Sequence, residues 1–216
     1  MPFEVSPLAL LAGLAGGVWG FVADRIGARW PEHEDGSIRA IDWRTVVVVV
    51  TGALALGALA VRFAAPLELA VFGAYTVALI LLLATDLDQR LLPDLITLPA
   101  IPVALVFALS GLNPFVPSGD VPLTIGVALA IPAILGVLAI PFGAGAIGMG
   151  DLKLLVSAGL LLGPGRIVSG VVWGALFVGV VILLLLVTRR VSLRSYVPFG
   201  PFLIAGVLYG LLAIRY

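Results

Sequence analysis

The chain has 216 residues, 62% hydrophobic and only 11% charged, and a mean hydropathy of +1.23, which excludes a soluble domain with a hydrated surface. Its 12 basic and 12 acidic residues balance, so there is no basic field for nucleic acid and no such partner is expected. Cysteine is absent and His33 is the one histidine, which excludes disulfides, thiolate zinc sites and a cysteine nucleophile; no metal or cofactor is expected, and chemistry falls to carboxylates and hydroxyls.

A bilayer core about 30 Å thick requires about 20 apolar residues per helix, and that rule predicts an all-α polytopic membrane protein with about eight transmembrane helices. The first, about Val5 to Ala23, lacks a basic segment ahead of it and a small-residue cleavage site before Asp24 and Arg25. It therefore reads as a membrane helix rather than a secretory signal. The polar loop of about 24–44 is too short to fold independently, so a single membrane-embedded domain over 1–216 is expected. The second and third helices cover about Thr45 to Val61 and Leu67 to Thr85.

Asp86 ends that third apolar run at or just under the membrane interface, and Asp88 reads as solvent-facing near Arg90. Asp94, after Pro93, reads as the N-cap of the fourth helix, about Leu95 to Leu112. Pro99 and Pro102 in this helix, with Pro132 and Pro141 in the fifth (Pro122 to Phe142), free backbone carbonyls and predict a polar interior cavity. The sixth helix, Asp151 to Leu162, is stopped by Gly163-Pro164-Gly165 after about a dozen residues, or ~18 Å at 1.5 Å each. Too short to span, it places Asp151 within the membrane slab. The last two helices are about Ile167 to Thr188 and Phe202 to Ile214.

Cytoplasmic loops are enriched in Lys and Arg. With the first loop inside, Arg25, Arg29, Arg39, Arg44, Arg90, Lys153, Arg189, Arg190 and Arg194 fall on one side and only Arg62, Arg166 and Arg215 on the other. Both termini are then outside, and the Asp86–Asp94 loop and the Gly148–Lys153 segment share the cytoplasmic face.

Ionisable residues at membrane depth are costly and are functional candidates. Asp151 follows Gly145, Gly148 and Gly150 at a helix start, where a carboxylate is a natural N-cap and the glycines allow close approach of another backbone. Lys153 reads as a snorkelling residue or as an electrostatic partner of the site or its substrate. Two carboxylates from different helices in a poorly hydrated site share a proton; one accepts a proton from water while the other donates to the carbonyl under attack. With no cysteine and no serine–histidine pairing, aspartic proteolysis is the best available hydrolytic chemistry.

These residues have a family likeness. Gly148-Met149-Gly150-Asp151-Leu152-Lys153 resembles the GxGDxK signature of the type IV prepilin leader peptidases, intramembrane aspartic proteases of the GxGD class. Thr85-Asp86-Leu87-Asp88-Gln89-Arg90-Leu91-Leu92-Pro93-Asp94 is similar to the family's first aspartate motif, and Pro198-Phe199-Gly200-Pro201-Phe202-Leu203 to its PFGPFL stretch. The resemblance implies that Asp86 and Asp151 are catalytic, with Gly148, Gly150, Lys153 and Asp94 in support. It also implies a prepilin or pilin-like substrate and an inner-membrane location.

The first third departs from the pattern. Gly17-Val18-Trp19-Gly20-Phe21-Val22-Ala23-Asp24-Arg25 keeps the glycine and the Val-Ala-Asp-Arg end of the family's early motif, but the loop that follows is short and lacks the paired CxxC zinc element. The N-methyltransferase activity of many relatives is therefore not carried over. Two alternatives stand beside this reading: a signal-peptide-peptidase-like intramembrane protease, and a small ion-coupled transporter using Asp86 and Asp151.

Overall fold

A computed structural model describes residues 6–32, 36–142, 147–188 and 199–213. His33, Gly145, Arg189, Arg190, Arg194, Val197, Pro198 and Arg215 lie outside the described residues, as do the expected helix ends Val5 and Ile214. Among the described residues there are seven α-helices and no strand: α1 Pro7–Gly27, α2 Trp43–Arg62, α3 Pro66–Gln89, α4 Asp94–Leu109, α5 Val121–Ala139, α6 Met149–Val187 and α7 Gly200–Leu212. Five helical segments are long and apolar enough to cross a membrane, which makes this a multi-pass membrane protein. The helix expected to stop at Gly163-Pro164-Gly165 and its successor together make up α6, 39 residues interrupted by a kink at Gly163. The break itself is present: Gly163 is non-helical at φ 74°, ψ 172°, where a side chain is strained and where a Cβ would lie 2.7 Å from the Phe115 carbonyl oxygen.

The chain divides into two compact units, Met1–Ile96 and Thr97–Tyr216. In the first, α1 starts where Ser6 Oγ accepts from the Ala9 N–H at 3.2 Å and Pro7 occupies the first turn. Asp42 and Thr45 form a reciprocal capping box that starts α2. The α1 and α2 backbones meet through glycines: a Cβ on Gly16 would lie 2.2 Å from the Gly52 oxygen, and one on Gly20 would lie 2.6 Å from the Val48 oxygen. Small residues four apart let membrane helices approach closely enough for dispersion to hold them, since lipid offers no hydrophobic drive between helices. Trp19 secures α3 by donating its indole N–H to the Val77 carbonyl at 3.0 Å. Phe72, Leu79 and Ile80 of α3 are fully buried, whereas Leu14 of α1 and Leu54 of α2 are about 70% and 69% exposed, as a lipid-facing surface requires.

In the second unit, α6 packs on α5 where Gly159 meets Ala128, and on α7 where Gly170 and Gly174 meet Phe202 and Gly206. Asn113 Nδ2 donates to the Leu161 carbonyl at 3.0 Å, just ahead of the Gly163 break. Buried Arg166 just beyond it donates to the Gly210 carbonyl at 3.0 Å and lies 3.9 Å over the Phe115 ring. Pro132 lies inside α5 as expected, but Pro141 falls in a short 3-10 turn, Ile140–Phe142, that ends it. Of the PFGPFL stretch, Phe199 caps α7 and Pro201 sits in its first turn, where a missing amide costs nothing.

Candidate active site

Asp86 lies in the last turn of α3, inside a run of buried residues from Leu82 onward, and is itself 5% exposed. Its carbonyl accepts from the Arg90 N–H at 2.9 Å. Arg90 adopts the left-handed conformation, φ 57°, that ends the helix. Thr85 donates its hydroxyl to the Leu82 carbonyl, so its polarity is spent within α3.

Asp88 differs from its expected role. Its side chain is 2% exposed rather than solvated; Oδ1 accepts a hydrogen bond from Arg44 Nη1 at 3.0 Å and forms an ion pair with Arg39 Nε at 2.7 Å. The reason is geometric: at 3.6 residues per turn, positions two apart project about 200° apart, so Asp86 and Asp88 take opposite faces of α3.

Asp94 is the first residue of α4 and is exposed, placed where the positive end of the helix favours a carboxylate. In the second unit, Asp151 is the third residue of α6 rather than its N-cap; Gly148 caps, in an extended conformation. The Gly148 N–H donates to Asp151 Oδ2 at 3.2 Å, the return half of a capping box. Among the described residues, what comes closest to Gly148 is therefore this carboxylate, 3.2 Å from where a Cβ would stand. Asp151 is 8% exposed, and its Oδ1 is buried with no hydrogen-bond donor among the described residues. One oxygen is thus anchored, and the other accepts no hydrogen bond among the described residues. Gly150 and Lys153 flank it in the first two turns of α6, Lys153 half-buried.

Sequence reasoning counted the basic residues of the first loop only as a topology signal and missed a buried network around them. Asp24 is fully buried and receives Arg25, Arg39 and the Thr45 hydroxyl, the last at 2.8 Å. Burial alone would lower the Arg39 pKa, but hydrogen bonding to Asp24 and attraction from Asp24, Asp88 and Asp42 hold it above its ordinary value. The overlooked signal was the acidic partners, Asp24 and Asp42, interleaved with Arg25, Arg39 and Arg44. Among the described residues no group of three His, Cys, Asp or Glu side chains is placed to hold a metal ion.

Both aspartates lie within the part of the chain, residues 73–184, that matches the profile of the type IV leader peptidase family. The chain belongs to that family. A prepilin leader peptidase/N-methyltransferase of Burkholderia pseudomallei (strain 1026b) is 33% identical over 181 residues, covering 84% of this chain and 53% of the relative. One of the same name from Pseudomonas putida is 34% identical over 178 residues, 79% of this chain and 60% of the relative. Another, from Aeromonas salmonicida (strain A449), is 39% identical over 140 residues, 61% of this chain and 45% of the relative. This family member thus spans a little over half the length of the first of these relatives. No solved structure matches.

Proposed function

We propose that this chain is a membrane aspartic endopeptidase that removes the leader of prepilins or pilin-like proteins, with Asp86 and Asp151 as its catalytic pair. The observation that carries this reading is that both motif aspartates are buried at helix ends in a family of leader peptidases. One carboxylate takes a proton from the attacking water, and the other donates to the scissile carbonyl oxygen; they exchange roles as the amine departs. Asp151, with Oδ2 anchored by the Gly148 N–H and Oδ1 accepting no hydrogen bond among the described residues, is suited to either role. In this reading the two units together form one peptidase domain, with Gly148, Gly150, Lys153 and Asp94 supporting the site.

Co-expression with a prepilin, followed by mass spectrometry of its N-terminus, tests the proposal. Shortening of the prepilin, undiminished by EDTA, is the expected result, since the cysteine-free sequence offers no thiolate zinc site. A full-length prepilin in cells producing the folded protein refutes it. The methyltransferase part of the relatives' name is not extended to this chain.

We place the site on the cytoplasmic face of the inner membrane, on the strength of the Lys and Arg bias. In a chain without native cysteine, Lys153→Cys should be labelled by an impermeant maleimide only after the cytoplasmic side is opened. Labelling from the periplasm of intact cells overturns the orientation.

A further inference from the structure

The first unit contains a charge cluster that the proposed chemistry does not use. Arg39 contacts three carboxylates on three segments: Nη2 meets Asp24 of α1, Nη1 meets Asp42 ahead of α2 at 2.6 Å, and Nε meets Asp88 of α3 at 2.7 Å. Arg44 adds a second contact to Asp88, and Arg25 and Thr45 complete the shell of Asp24. Gln89, next along α3, donates to the Pro31 carbonyl of the same loop. Asp24, Asp42 and Asp88 thus balance Arg25, Arg39 and Arg44.

A buried network of this kind adds little net stability over apolar packing, because desolvating each ion offsets its attraction. What it adds is direction, since the Arg39 fork hydrogen-bonds Asp24 and Asp42 at set angles, while Asp88 pairs with Arg39 Nε and accepts a hydrogen bond from Arg44. Direction is what the end of α3 lacks by itself. Terminal helix turns fray, and the helix dipole disfavours Asp86 and Asp88 at the C-terminal end.

We propose that the Arg39 cluster is a positioning device: by tying Asp88 to Asp24 and Asp42 it fixes the rotation of the last turn of α3, and so the direction in which Asp86 projects from the opposite face. Arg39 is then a positioning residue, and the proposal rests on the reading of Asp86 as catalytic.

The test combines amide hydrogen exchange with single-turnover cleavage of a prepilin, on the full chain in detergent or nanodiscs. Arg39→Gln is expected to raise exchange at least about tenfold at the amides of 86–90, including the Arg90 N–H that bonds the Asp86 carbonyl, while α1 and α2 amides keep their protection. The cleavage rate per folded molecule should fall about 10- to 100-fold with prepilin affinity unchanged, the loss expected when a reacting group is misplaced by about 1 Å. Arg39→Lys, which keeps the charge but not the fork, should recover part of the rate. If Arg39→Gln does not fold, Asp88→Asn removes only the α3 arm and should show the same two effects. Arg29→Gln, at an exposed cation, should show neither. Unchanged exchange at 86–90, or a rate per folded molecule equal to wild type, overturns the proposal. If wild type cleaves no prepilin, local loss of protection still supports the positioning of α3, and it is the proteolytic reading that fails.

Discussion

Replacing Asp151 by Asn is expected to lower prepilin cleavage by about three orders of magnitude or more, within the range of losses seen when an acid–base group is removed. The helix start should survive. An Asn carbonyl oxygen can still accept the Gly148 N–H that now bonds Oδ2 at 3.2 Å, so the return half of the capping box remains. What is lost is the exchangeable proton at Oδ1. Asp86→Asn should match it in size, with the α3 end still closed by the Arg90 N–H on the residue-86 carbonyl. Asp94→Asn is the graded comparison: as an exposed supporting carboxylate in the first turn of α4, its loss should lower cleavage only modestly, far less than Asp151→Asn. Rates are to be normalised to folded protein, with thermal unfolding measured alongside. Wild-type cleavage by Asp151→Asn would remove the aspartic mechanism, and an ion-coupled role for Asp151 would become the better account.

Gly16→Leu should yield no folded protein at all. A Cβ there would lie 2.2 Å from the Gly52 oxygen, 2.8 Å from its carbonyl carbon and 3.0 Å from Leu56 Cβ. Two of those atoms are backbone, which cannot step aside by changing rotamer, so relief requires separating α1 from α2. Overpacking typically costs 1–3 kcal/mol where side chains can adjust, and about 3 kcal/mol or more is expected where they cannot. Gly126→Leu in α5 is the matched control, because nothing stands within 4 Å of its Cβ position. Size-exclusion chromatography and limited proteolysis in detergent distinguish the two. A monodisperse, protease-resistant Gly16→Leu protein would show that the α1–α2 contact is looser than described.

Properties that depend on neighbours along the chain were legible in the sequence. Apolar runs of bilayer length marked the membrane helices, and Gly163-Pro164 marked a break that the backbone does make at φ 74°. The aspartate motifs led to Asp86 and Asp151, each buried at the end of a helix. That break divides α6 into two helical segments, as the Gly-Pro-Gly run led one to expect.

Only the tertiary structure decided which groups meet across segments. Asp88 and Asp24 are 64 positions apart yet share Arg39, a pairing that no local spacing encodes. It follows from the rotation of α3, which turns Asp88 toward the α1–α2 loop and Asp86 to the other face. Likewise the sequence placed Asp151 at a helix start but not at its third position, where its carboxylate reaches back to Gly148 instead of capping forward. Hydropathy and helix-breaking act on a segment by itself. The partner of a buried charge is set by the faces that packing brings together, and a single residue of helix phase, about 100°, is enough to exchange a solvated aspartate for a buried one.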